Sequence, residues 1–428
     1  MSDILILASI VMLALLFLKV PVYIAVLGGS MVYFLLNPDI NSIVFAQQAI
    51  VGTEKISLLA IPFFVCAGIF MNYTGVTKRI MNFCEVVTGR LPGGLAQVNV
   101  LLSTVMGGLS GSNIADAAME SKMLVPEMTK KGFSLEFSSV VTAASSMITP
   151  LIPPGIAMIL YGCIANVSIG KLFISGIGVG GLLCVTMMIL VGVISKKRGY
   201  GNLSTEKMSW PRFWKVFRPA VLPLLLPVII IGGIRIGVFT ATEAGAVAII
   251  YAVILGIIYR EMKLTDLCRG LKETVCTTAS IMLIVSAASV FSWILTKERI
   301  PQMLTEWMLA TIHSRIVFLI VVNIFLLIVG MFIEGNASMI ILVPLLAPIA
   351  ASYGINEIQF AMIYIFNNAM GALSPPMGTL MFVTCSITKC KTADFIKEAV
   401  PFYILLVTNL LLLTWFEPFT TFLVNLFY

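Results

Sequence analysis

Two stretches of this chain repeat one unusual pattern: a small-polar tip inside an apolar segment, then a double proline inside a second apolar segment. The first is GGLSGSNIADAA around Asn113 followed by SSMITPLIPPG with Pro153 and Pro154; the second is IEGNASM around Asn336 followed by NNAMGALSPPMG with Pro375 and Pro376. Asn113 and Pro153 are 40 positions apart, Asn336 and Pro375 are 39. Backbone freed by Gly, Ser and Pro inside a bilayer must be satisfied by protein, water or a bound ion. Paired interrupted segments therefore point to a transport site rather than to lipid-facing helix.

The bilayer itself follows from composition. Of 428 residues, 59% are hydrophobic and 11% charged, where a soluble domain carries roughly 25% charged residues. The chain reads as an all-α polytopic membrane protein, with Met1 to Ile24 holding the first span: no basic region precedes that apolar run, and no cleavage site followed by a soluble domain comes after it. The eight cysteines show no metal spacing and fall in or beside apolar segments, as small hydrophobes do. His313, the single histidine, sits in a polar loop. No HExxH, GxSxG or nucleotide loop is present, which leaves an enzyme or an ATP-driven pump without machinery. The net charge of +7 belongs to loops, and does not indicate nucleic-acid binding.

At about 20 apolar residues per span, spans are expected near 3–18, 21–36, 57–72, 137–163, 171–194, 219–235, 238–259, 273–296, 358–388 and 400–426. The regions 92–130 and 314–351 differ. Each is an apolar arm, a Gly/Ser/Asn tip without flanking charge, and a second arm, which suits a re-entrant hairpin better than two spans with a loop. Basic residues sort onto two sides. Lys19 and the stretches 78–90, 130–131, 196–218, 260–272 and 389–397 hold most of the 27 Lys and Arg. Lys55, Lys171, Arg235, Lys297, Arg299 and Arg315 fall on the other side, and Lys122 lies within a hairpin arm. The first set is expected in the cytoplasm and both termini outside. Five spans separate the hairpins, so these enter from opposite sides. The expectation is two inverted-topology repeats, each of about five spans plus one re-entrant hairpin: 1–195 and 219–428, joined by a cytoplasmic loop at 196–218. The broken helices are then 137–163 and 358–388.

Proline removes an intrahelical hydrogen bond and glycine permits close approach, so carbonyl oxygens near such breaks can turn toward a shared point. That environment suits Na+, which needs only a handful of neutral oxygens. The expected first sodium site is Ser110, Gly111, Asn113, Ser145, Thr149 and Pro150; the second is Gly335, Asn336, Ala337, Gly371, Ser374 and Pro375. Asn367 and Asn368 also face the second tip in this reading. Ser110, Ser112, Asn113, Asp116 and Asn336 are the candidate substrate-binding residues. Intramembrane charge costs several kcal/mol on roughly the insertion scales, which singles out Asp116, Glu120 and Glu334. Asp116 either contacts solute, ion or the neighbouring domain, or complements the N-terminal dipole of its arm. Glu243 is a structural or coupling charge, with a helix cap or a pair with Arg235 as the structural options.

GGLSGSNIADAAMESKMLVPEM followed by VTAASSMITPLIPPGIAMILYG resembles the signature region of the large membrane subunit of tripartite ATP-independent periplasmic (TRAP) transporters. FTATEAGAVAIIYAVILG resembles that family's Thr-Pro-Thr-Glu-Ala motif, with Ala241 in place of the proline, and NAMGALSPPMGTLMFVTC resembles its second Pro-Pro region. The resemblance implies a sodium-coupled secondary transporter of elevator type in a bacterial inner membrane. It also implies two partners, a small four-helix membrane subunit and a soluble periplasmic substrate-binding protein. Family substrates are organic acids. Ser and Asn groups with no paired arginines favour sialic acid (N-acetylneuraminate) over a C4-dicarboxylate. A stand-alone ion-coupled anion transporter of another inverted-repeat family is the alternative, and a channel fits opposed hairpins less well.

Overall fold

The computed structural model describes residues 3–18, 20–201 and 210–428. Lys19 and Lys207, counted above with the cytoplasmic set, lie outside the described residues. The chain begins with α1 (Asp3–Phe17), α2 (Val22–Leu36) and α3 (Ile43–Val51). Next come α4 (Ala60–Tyr73), α5 (Val76–Thr88), α6 (Gly94–Ser110), α7 (Asn113–Lys130), α8 (Leu135–Ser145), α9 (Ile156–Ala165) and α10 (Ile169–Arg198). Two helices, α11 (Trp210–Arg235) and α12 (Ala241–Tyr259), lead into α13 (Leu264–Lys297), α14 (Ile300–Thr311), α15 (Arg315–Phe332), α16 (Gly335–Ser352), α17 (Glu357–Leu373), α18 (Thr379–Thr388), α19 (Thr392–Trp415) and α20 (Pro418–Phe427). No strand occurs among the described residues.

From α4 to α10 and from α13 to α19 one order of elements recurs: an apolar helix, a short connecting helix, a helical hairpin, a broken helix and a long helix. The hairpins are α6–α7 and α15–α16. Gly111, at φ +63°, ends α6 in the left-handed region, and Ser112 caps α7 by accepting from the Ala115 amide. At the second tip Glu334 takes the capping role, accepting from the Ala337 amide. The breaks fall where Pro and Gly were expected to put them. α8 stops at Ser145, a short 3-10 turn covers Thr149–Leu151, and α9 starts after Gly155, with a bend of 42° across the pair. α17 stops at Leu373 and α18 starts after Gly378.

Several expected boundaries are corrected. At 15 residues each, α1 and α2 fall short of a full span and pack as a pair, with Gly29 tight against Met12 and the Ala8 carbonyl. The expected span 400–426 is instead α19, which begins at Thr392 and ends at Trp415; Pro418 then opens the separate α20. The loop expected at 196–218 is narrower, since α10 runs on to Arg198 and α11 already begins at Trp210. α3, α5 and α14 were not anticipated. α5 and α14 are amphipathic connectors whose mean hydropathy is too low for a span search to register.

One large apolar core joins both hairpins and both broken helices, and includes Phe137, Tyr161, Tyr364 and Phe366. Tyr161 of α9 and Tyr364 of α17 meet within it at 6.0 Å between ring centroids. Separate apolar clusters lie beneath α1–α3, where Leu5, Tyr33 and Phe34, and then Met12 and Val26, pack against Val290, Ile294, Ala287 and Phe291 of α13. The Ser286 hydroxyl donates to the Ala49 carbonyl at 2.8 Å, tying α3 to α13. The hairpins and broken helices thus share one core, to which α13 adds Ile281, Val285 and Ala288, while Ala287, Val290, Phe291 and Ile294 on its other side pack against the first three helices.

Candidate functional site

Both hairpin tips and both breaks converge on one chamber of about 90 Å³. Gly111, Ser112 and Asn113 come from the first tip, Glu334, Gly335 and Asn336 from the second, Pro150 and Ile156 from the first break, Asn368 and Thr379 from the region of the second. The N-termini of α7, α9, α16 and α18 all begin at this chamber. Helix starts carry unpaired amide hydrogens and a partial positive charge, a ready environment for an anionic group. The helices α6, α15 and α17 end beside it and bring carbonyl oxygens, which suit a small cation.

The second tip is held by its own side chains. The Asn336 Nδ2 donates to Glu334 Oε1 at 3.0 Å, the Ala337 amide donates to Glu334 Oε2 at 3.1 Å, and the Asn368 Nδ2 reaches from α17 to the Gly335 carbonyl at 2.7 Å. At the first tip, a Cβ on Gly111 would lie 2.9 Å from the Pro154 carbonyl oxygen. That close approach, together with the positive φ, is what glycine provides there. Beside the chamber opens a larger cavity of about 420 Å³. Ser110, Ser112 and Ile156 line it with Glu334 and Asn336 on one side; Asn72 of α4 and Thr277 and Ser280 of α13 line it on the other.

The residues of the expected first sodium site are divided. Gly111, Asn113 and Pro150 line the chamber and Ser110 lines the larger cavity, but Ser145 and Thr149 do not reach either. They belong to a buried polar network behind the tip. The Ser103 hydroxyl lies 2.7 Å from Glu120 Oε2 and 2.8 Å from Ser145 Oγ, and the Asn99 Nδ2 donates to Thr142 Oγ1 at 2.6 Å. The Thr149 hydroxyl donates to Asp116 Oδ2 at 2.8 Å. Asp116 therefore points into the protein behind the tip and not toward the larger cavity; it is 2% exposed and Glu120 is 0%.

The second set divides in the same way. Gly335 and Asn336 line the chamber, whereas Ala337, Gly371, Ser374 and Pro375 are not among its walls. Gly371 packs on Gly330 of α15, and the Ser374 hydroxyl turns back to the Met370 carbonyl at 2.8 Å. Asn367 faces away from the tip, its Nδ2 donating to the Asn323 carbonyl at 2.9 Å, while Asn323 donates to Thr414 of α19 at 2.9 Å. Of the neighbouring pair, Asn368 is the residue that serves the tip. Glu243 completes a capping box with Thr240 at the start of α12, receiving the Thr240 amide at 2.7 Å. Arg235 instead donates to the Phe427 carbonyl at 3.1 Å. Thr277, Ser280 and Thr379 were not picked out from the sequence; a hydroxyl spacing of three on an apolar helix was the available signal for the first two.

A chamber between opposed hairpin tips, flanked by broken helices in an all-helical membrane fold, is the architecture of a transporter. The fold is similar to that of the YdaH transporter of Alcanivorax borkumensis, with a TM-score of 0.53, 13% identity and coverage of 90% of both chains. The chain belongs to the family described as the tripartite ATP-independent periplasmic transporter, DctM component, whose model matches residues 9–419. It is 38% identical to the sialic acid TRAP transporter large permease protein SiaM of Vibrio cholerae, over 97% of each chain. It is 35% identical to the 2,3-diketo-L-gulonate TRAP transporter large permease protein YiaN of Escherichia coli, over 91% of each. The C4-dicarboxylate large permease protein DctM of Pseudomonas aeruginosa is 34% identical, again over 91% of each. The protein is thus a multi-pass membrane transport subunit of a tripartite system, and not an enzyme.

Proposed function

We propose that this subunit imports an organic acid together with Na+, receiving the solute from a periplasmic binding protein and working beside a small four-helix membrane subunit. The observation that carries the reading is the meeting of both tips and both breaks at one chamber beside a cavity of about 420 Å³. Neutral carbonyl, hydroxyl and amide oxygens around the chamber suit Na+, and the larger cavity has room for a small organic acid. In this reading residues 1–195 and 219–428 form two inverted repeats in a bacterial inner membrane with both termini periplasmic. The two hairpins and broken helices, joined by one core, move as an elevator against the wall of α13 and α1–α3.

Relatives named for a sialic acid, a diketogulonate and a dicarboxylate have nearly equal identity to this chain, so kinship does not choose a substrate. The cavity chemistry favours N-acetylneuraminate. It offers Asn72, Ser110, Ser112, Thr277, Ser280 and Asn336 for hydroxyl and amide groups, and Glu334, with no arginine, opposes a second carboxylate. In vesicles reconstituted with both partners, N-acetylneuraminate uptake is expected to follow an inward Na+ gradient and to persist when only the proton gradient is collapsed. Full uptake in sodium-free buffer driven by a pH gradient would overturn the coupling. Uptake of succinate in preference to N-acetylneuraminate would overturn the substrate.

Sidedness has its own test. In an active background freed of its native cysteines, a cysteine at the exposed Lys131 is expected to react with an impermeant maleimide only after permeabilisation, and one at the exposed Ser352 in intact cells. Labelling of both from one side would remove the inverted repeat.

A further inference from the structure

A third cavity, of about 300 Å³, opens between α3, α13 and the hairpin body. Its polar lining is one-sided. Ser289, Ser292 and Thr296 come from α13 along with the Trp293 ring, Gln48 from α3 and Lys55 from the segment leading out of it, whereas the hairpin body contributes Ile340 and Pro344 of α16 and Cys163 and Ile164 of α9. Lys55 is the one charged residue in this lining, and no carboxylate accompanies it.

The cavity shares a helix face with the solute cavity beside the tips. Thr277, Ser280, Ile281 and Ile284 of α13 line the latter; Val285, Ala288, Ser289, Ser292 and Thr296 line the former. These positions recur every three or four residues, so they form a single stripe on one side of the helix. At 1.5 Å per residue, Ser280 and Ser292 are about 18 Å apart along it. Lys55 belongs to the sparse set of basic residues opposite the cytoplasmic loops, which puts this cavity at the outer end of the stripe. Its wall is fixed: a Cβ on Gly52 would lie 2.3 Å from Ser289 Cβ, and Ser286 is bonded to Ala49.

We propose that this cavity is an anion-binding station for a carboxylate solute, held by the stationary wall through Lys55, Gln48 and the α13 hydroxyls. A lone ammonium with hydroxyl and amide donors and no competing carboxylate is the donor set a carboxylate needs. Because the moving body presents only carbon and a thiol there, the bound solute stays with the wall until the tips reach it. The station thus stands upstream of the tip site, and it rests on the organic-acid reading above.

The test separates the two readings. Single cysteines at Ser289 and Ser292, in an active background whose native cysteines, Cys163 included, are serine, are treated with methanethiosulfonate reagents of similar size, one sulfonated and one bearing trimethylammonium. The sulfonate reagent is expected to react at least fivefold faster relative to the cationic one than with a free thiol. Lys55→Gln should abolish that preference and Lys55→Arg should keep it. N-acetylneuraminate should slow the sulfonate reaction in the Lys55 protein and not in Lys55→Gln. Protection by succinate in place of N-acetylneuraminate would keep the station and overturn the choice of solute. Equal rates for the two reagents at both positions, or a preference that survives Lys55→Gln, would overturn the station itself even if sodium-driven uptake is intact.

Discussion

Gly371→Leu is expected to prevent accumulation of folded protein, and Gly371→Ala to lower the thermal midpoint of the purified protein while uptake falls with the folded fraction. A Cβ at this position would lie 2.6 Å from Gly330 Cα and 2.7 Å from its carbonyl carbon. Both are backbone atoms and cannot rotate aside. Overpacking of a filled interior costs about 1–3 kcal/mol, and more where backbone must shift. Here the shift would separate α15 from α17, the contact that sets the second hairpin on its broken helix. Gly181→Ala in α10 is the control: its Cβ meets nothing within 4 Å, and removing a helical glycine should be neutral or stabilise by roughly 0.5–1 kcal/mol. Equal melting of Gly371→Ala and Gly181→Ala would remove the close contact from the account.

Glu334→Ala is expected to cut maximal uptake at least about tenfold, a loss equivalent to about 1.4 kcal/mol, with a smaller effect on folding. Its carboxylate accepts from Ala337 N and Asn336 Nδ2, so it caps α16 and fixes the asparagine that lines the chamber. Loss of an N-cap alone costs about 1 kcal/mol. Glu334→Ser separates the roles, since serine caps a helix well but is too short and uncharged to hold Asn336 in the same way. Stability near wild type with uptake still depressed would assign Glu334 to the chamber. Recovery of uptake in Glu334→Ser would leave it a cap alone.

The tips and breaks were legible because Gly, Ser and Pro punctuate otherwise apolar segments, and those residues impose the same consequence in any surroundings. The direction of a side chain within a buried helix was not. Asn367 and Asn368 are neighbours of one chemical type; a rotation of about 100° between successive residues sends one to Asn323 and the other to Gly335. Ser145 and Thr149 flank the break and Asp116 follows the tip in sequence, yet Ser103 of α6 bonds Ser145 and Thr149 bonds Asp116, which holds all three in the buried network behind the tip. The stripe on α13 escaped notice because serine and threonine barely alter the hydropathy of a long apolar helix. The amphipathic α5 and α14 escaped because a search for spans averages over both faces.

The hairpin body is cross-linked internally by hydrogen bonds, Asn99 to Thr142 and Asn367 to Asn323, whereas it meets the α13 stripe through Ile340, Pro344 and other carbon surfaces. Among the described residues no hydrogen bond joins α13 to α16. In the proposed elevator, a displacement of α16 along α13 exchanges one nondirectional contact for another. Friction at this interface is set by side-chain shape alone, much as in a dry bearing, while resistance to shear within the body is set by directional bonds. If that elevator operates, a single hydrogen-bonding pair introduced across α13 and α16 would act as a detent, slowing the cycle about tenfold for each 1.4 kcal/mol it adds to the barrier without altering what either site binds.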